Sequence, residues 1–193
     1  MLLRHSFIVI LAVGLVLAGC DGPVPDTLQP PSPDEQVEEA AFSHRGQDQA
    51  LQPRNFVAPL EGAQEVEPVD TRARGLARFQ LSRDGSSISY RLNVANIENV
   101  LMAHIHVAPT GENGGVVVWL YPDAPPPTLI EGRFQGTLAT GTITMDDLVG
   151  SLAGATLDDL IDLIVAGDTY VNVHTTQNRG GEIRGQIQVA GAR

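Results

Sequence analysis

The sequence predicts a single all-β domain, a Greek-key β-sandwich or barrel-like fold with one or two short helices. Three observations carry this expectation. Apolar and polar residues alternate over short runs, most cleanly at Ile88, Tyr90, Leu92 and Val94. Turn chemistry recurs between the runs, at Asp84-Gly85, Gly111–Gly115 and Gln177–Gly180. Helical periodicity is confined to short stretches late in the chain. The pattern occupies residues 54–193, about 140 residues and an ordinary length for one domain.

Phe56–Leu60 opens the first strand. Pro59 and Pro68 lack an amide donor, which places them at an edge or in a loop rather than mid-sheet. Gly75–Leu81 and Ile88–Val94 flank Arg83-Asp84-Gly85-Ser86 and form a β-hairpin. A strand carrying His104-Ile105-His106 follows, then the tight loop Pro109–Gly115. Val116-Val117-Val118-Trp119-Leu120 is a continuous apolar run, which predicts a strand buried on both faces. Trp119 and Tyr121 are read as core packing in preference to the alternative, the lining of a ligand surface.

Pro122–Pro127 breaks the chain, and Phe134–Ile143 is the next strand. Met145–Val149, capped by Thr144, is the first expected helix. Leu157–Ala166 is the second: Thr156 caps it, Asp159 stands three positions on, and Gly167 stops it. Its Leu157, Leu160, Ile161 and Ile164 share one stripe. Asp146-Asp147 and Asp158-Asp159 fall in first turns, where negative charge complements the helix dipole, so they read as helix starts and not as paired catalytic acids. Tyr170–Thr175 and Gly181–Val189 are the last strands.

Ahead of the domain, residues 1–19 read as a secretory leader. Arg4 precedes an apolar run from Phe7 to Ala18, too short for a membrane span of about 20 residues. The run ends Leu17-Ala18-Gly19-Cys20, similar to the bacterial lipobox, in which the peptidase cuts before a cysteine that is then lipidated. Cys20 is the sole cysteine, so no intramolecular disulfide is available. Residues 20–53 turn to Pro, Asp, Glu and Gln, a composition with little area to offset chain entropy, and read as a disordered tether. The expected product is anchored to the membrane by lipid on Cys20 and lies outside the cytoplasm.

The formal charge is −11, and removing the leader with its Arg4 leaves −12. That argues against nucleic acid as a partner and against adsorption to anionic lipid surfaces. All twelve basic residues are arginine. No Gly-x-Ser-x-Gly or other nucleophile setting occurs, and Gly111–Gly115 is followed by neither lysine nor helix, so it is no phosphate loop.

The chemistry lies in the histidines. Two of the five, His5 and His44, precede the domain. Strand alternation puts His104 and His106 on one face, and groups Tyr170, Asn172 and His174 likewise. Two readings compete. The three imidazoles bind copper or zinc through neutral nitrogens, with Asn172 or Glu182 completing or orienting the set. Alternatively they form a hydrogen-bonded cluster that pins two strands together. Arg184 is expected to pair with Glu182 across its own strand face.

Three segments, LEGAQEVEPVDTRARGLARF, AHIHVAPTGENGGVVVWL and YVNVHTTQNRGGEIRGQI, resemble the CHRD domain, a module named from chordin and widespread in bacterial secreted proteins. The resemblance spans about residues 55–189. It implies an extracytoplasmic all-β domain with no catalytic role generally assigned, and metazoan members bind protein partners in signalling. The His-x-His strand with a later Val-His is also similar to the strand ligands of copper–zinc superoxide dismutases, but this chain lacks their further zinc-loop ligands and their disulfide. The leading functional expectation is thus a membrane-tethered interaction module without catalysis, meeting a protein or glycan partner. The alternative is a copper- or zinc-handling protein built on His104, His106 and His174.

Overall fold

A computed structural model describes residues 53–191, in which eight strands and one α-helix follow one another. The strands are β1 Asn55–Glu61, β2 Arg74–Leu81, β3 Ile88–Val107, β4 Gly115–Tyr121, β5 Ile130–Ile143, β6 Thr169–Thr175, β7 Ile183–Gln186 and β8 Gln188–Val189, and the helix α1 is Leu157–Ala166. Cys20, the leader and nearly all of the tether lie outside the described residues. Among the described residues no helix is long and apolar enough to cross a membrane.

The strands close a barrel. Neighbours run β2-β1-β7-β6-β3, and β3 pairs again with β2 to complete five strands, all antiparallel; β4 and β5 extend from β3 and β8 from β1. Of the two expected architectures, the barrel is the one that forms. Its closure removes edges that would otherwise be free to pair.

β3 makes the closure possible. The sequence pattern shows two short strands here, but the chain runs unbroken for twenty residues. At about 3.3 Å per residue that exceeds the width of a domain this size, so the strand must bend. Asn96 and Asn99 supply the bends, at φ of 55° and 53°, left-handed values that asparagine tolerates better than most side chains. They fall where the register with β5 shifts, between Val94 and Ile97 and between Glu98 and Val100. The first half therefore pairs with β2 and β5, the second with β6 and β4.

Leu92, Ile105, Val171, Val173 and Ile183 of the barrel strands are buried, and Val117 of β4 and Leu157, Leu160, Ile161 and Ile164 of α1 join the same core. The helix starts and stops as its residues direct. Thr156 and Asp159 form a capping box, and Gly167 at φ 84° lets the amides of Gly167 and Asp168 reach Ile164 and Leu163. Thr156→Ala is expected to cost about 1 kcal/mol in a urea titration.

Four expectations need correction. The segment after Thr144 makes one 3-10 turn, Met145–Asp147, not an α-helix; its capping box forms, but no apolar stripe follows to hold further turns. β1 is not an edge, since β2 lies on one side and β7 and β8 on the other. Pro59 is accommodated because pairing on that side lapses between Val57 and Glu61, where Gly185 packs directly on the Pro59 carbonyl. β4 is buried on both faces at Val117 and Val118 only, with Val116 and Trp119 half-exposed. The last strand also breaks at Ile187 into β7 and β8.

Candidate functional site

β6 decides where the site lies. All seven of its residues are buried, on both faces. Thr169, Val171, Val173 and Thr175 turn one way, and Val171 and Val173 pack in the core. The opposite face, on the barrel exterior, is polar, and loops 62–73, 108–114 and 176–182 cover it. In register across three strands it carries His104 and His106 from β3, Tyr170, Asn172 and His174 from β6, and Arg184 and Gln186 from β7. The strand alternation read from the sequence therefore brings all three histidines together.

The three imidazoles offer ligand nitrogens within 4.8 Å of one another. Their ring centres stand 5.1, 5.5 and 5.8 Å apart. An ion held at about 2.0–2.1 Å from three ring nitrogens in tetrahedral directions spaces the ring centres roughly 5.2 Å apart. The ring nitrogens themselves must draw together from separations of up to 4.8 Å to roughly 3.3 Å to share one tetrahedral ion.

Backbone carbonyls set the tautomers. His106 Nδ1 is 3.0 Å from the Gly114 oxygen and His174 Nδ1 is 2.9 Å from the Arg179 oxygen. A carbonyl only accepts, so each Nδ1 carries the proton and each Nε2 keeps its lone pair. His104 Nδ1 lies 3.2 Å from His174 Nε2. Nε2 of His104 and of His106 are buried and meet no partner, an arrangement that costs about 1–3 kcal/mol per group if nothing fills it.

Aromatic rings wall the group. Trp119 meets His104 edge-on, 4.2 Å between centres, and Tyr170 stacks on His106 at 4.8 Å and 8°. Trp119 is therefore part of the site wall, the less favoured of its two sequence readings, and not of the core. The Arg184 guanidinium lies 3.5 Å from the centre of the Tyr170 ring, bonds the Pro109 carbonyl and Asn113, and does not pair with Glu182 as expected.

Asn172 stands beside His104 in register but points its amide at Glu65, whose two oxygens accept at 3.0 and 3.2 Å. Glu182 is not beside the histidines. Its carboxylate accepts from Thr71, Thr175, Gln177 and Asn178 and ties the covering loops to β6. Sequence reasoning missed Glu65 and the two carbonyls. They come from irregular loops, whose approach to a strand face has no periodic signature.

Burial keeps the cluster neutral. Desolvation, then the neighbouring His174 and His106, push His104 down to about 3. Desolvation takes His174 down to about 4, against the upward pull of the Arg179 carbonyl. His106 is lowered too, first by burial. Burial pushes Glu65 the other way, up to about 7, against the pull of Arg184 and the Asn172 amide. Imidazoles held neutral in this way can accept a metal near pH 7 with little proton release.

These shifts give stability a definite slope with pH. Between about pH 6.5 and 4.5 the unfolded chain protonates His104 and His174 while the folded one does not. Glu65 opposes this, since it is protonated in the folded chain before the unfolded one. Two or more protons against one leave stability falling on acidification, by about 1.4 kcal/mol per pH unit for each net proton. Urea titrations of the metal-free protein between about pH 7 and pH 5 check this, and a flat profile contradicts it.

A family model described as the CHRD domain matches residues 56–187, more than half of the chain. No curated protein matches it.

Proposed function

The chain belongs to the CHRD domain family, and on that premise we propose that it holds a copper or zinc ion at His104, His106 and His174 while tethered outside the cytoplasm by lipid on Cys20. Family membership supports a non-catalytic interaction module in general, and the histidine group supplies what this module binds. One observation carries the reading: three buried imidazoles converge, two of them aimed by backbone carbonyls, with ring nitrogens left unpartnered. A cluster built for structure alone satisfies its buried polar atoms.

The ligand set is neutral and compact, and three nitrogens leave a fourth position free. Trp119 and Tyr170 exclude water around the ion and fix the ring planes. Elemental analysis of the full-length protein in detergent micelles, without a histidine tag, tests the reading. Copper or zinc near one equivalent, lost in His106→Ala, supports it. A metal-free protein whose melting temperature ignores both ions overturns it. For the tether, Cys20→Ala is expected to move the protein from the detergent phase to the aqueous phase of a Triton X-114 extraction, because the acyl chains supply the membrane affinity.

A further inference from the structure

Three loops cover the histidines, so an ion needs a way past them. A cleft of about 340 Å³ opens where those loops meet, lined by Glu65, Glu67, Asn113 and the 177–181 turn. Two of its walls belong to the segments that grip the ligands, since Arg179 holds His174 and Asn113 precedes the Gly114 carbonyl that holds His106. Gly181 brings the cleft close to the interior. A Cβ there, at φ 136°, would strike the Asn172 amide nitrogen and stand 2.6 Å from Asn172 Oδ1 and from Glu65 Oε1.

Behind that glycine, oxygens lead inward. The Glu65 carboxylate has the Asn172 amide as its hydrogen-bond donor. Asn172 Oδ1 is buried without a partner, and Asn172 neighbours His104 directly across the β6–β3 ladder. A buried carboxylate with spare acceptor capacity followed by an orphaned amide oxygen suits a passing cation, which sheds waters stepwise for oxygen ligands. The positive groups nearby are Arg179 at the rim and Arg184, which leans on Tyr170; Glu67 and Glu65 oppose them.

We infer that Glu65 is the port of the metal site: it captures the hydrated ion in the cleft and passes it to the histidines, without staying as a ligand. The inference rests on the metal reading above. Trp119 is the chain's sole tryptophan and its ring stands 4.2 Å from that of His104, so copper(II) arrival is readable as quenching of its fluorescence. Full-length protein in micelles is mixed with buffered copper(II) in a stopped-flow instrument. Glu65→Gln keeps the shape and a polar partner for Asn172. It is expected to slow loading about tenfold or more and to slow release by the same factor, leaving the dissociation constant within about twofold. Glu131→Gln, the same charge change on exposed β5, is expected to alter neither rate by more than about twofold. Loading of Glu65→Gln at the wild-type rate overturns the port. So does faster release with weaker affinity, which makes Glu65 a ligand. Wild-type protein that binds no copper at all removes the metal reading itself, and the port with it.

Discussion

His104→Leu is expected to leave the stability of the metal-free protein within about 1 kcal/mol of wild type while lowering copper or zinc affinity by well over the ~10–100-fold that loss of a supporting partner costs. The physical reason lies in what His104 does in the absence of metal. Its Nδ1 meets His174 Nε2 at 3.2 Å, but its Nε2 is buried with no partner. Leucine deletes the orphaned nitrogen and one hydrogen bond together, fills most of the volume against Trp119, and leaves a single unpaired acceptor on His174. Those effects oppose one another. A purely structural cluster behaves differently. There each imidazole serves the fold, and removing one costs about 1–3 kcal/mol for the buried polar groups it leaves unpaired, with no ion to lose. Urea titration of the metal-free variant, paired with competitive metal titration, separates the cases: stability lost without an affinity change assigns the histidines to the fold.

That contrast also shows how far the sequence reaches. Period-two alternation fixed which face each of His104, His106, Tyr170, Asn172 and His174 occupies, because a strand leaves a side chain no other choice. It could not fix whether the two strands were neighbours at the same height. That follows from barrel closure, and closure follows from the bends at Asn96 and Asn99, whose effect on a long strand no local pattern announces. The end of α1 was legible because capping residues act within four positions of one another. The false helix at Met145 arose from the same chemistry, since a capping box begins a turn but does not extend one. One unbroken strand would face Arg184 and Glu182 the same way by alternation, but β7 begins at Ile183 and leaves Glu182 in the preceding loop. Arg184 goes to Tyr170, and Glu182 to Thr175 of β6 and to Thr71, Gln177 and Asn178 of the loops. Competition among partners brought in by tertiary structure decided that pairing, and Glu65 entered the site by the same route.

The site thus depends on loops as much as on strands, and Gly114 is where that dependence is most acute. A Cβ at Gly114 would collide with the Val107 carbonyl, a backbone group of β3 itself, and would stand 3.0 Å from the Ala108 Cβ. Backbone atoms in a ladder strand do not yield, so Gly114→Ala must displace the loop. Three contacts move with it: the Gly114 carbonyl that holds the His106 Nδ1 proton, the Gly114 amide that donates to the Tyr170 hydroxyl, and the neighbouring Asn113 that meets Arg184. Relieving such overpacking at the cost of those bonds is expected to destabilise the protein by about 2–4 kcal/mol. Freed from its carbonyl, His106 samples both tautomers and other ring orientations, so metal affinity is expected to fall about 10–100-fold although every ligand remains. Chemical denaturation and a metal titration of the variant give the two readings. A loop that absorbs the methyl group with affinity and stability both unchanged contradicts the claim that the Gly114 carbonyl aims His106. Weakened affinity, with full occupancy still reached at high metal concentration in a folded protein, confirms that the loop positions a ligand that the strand alone leaves free to turn.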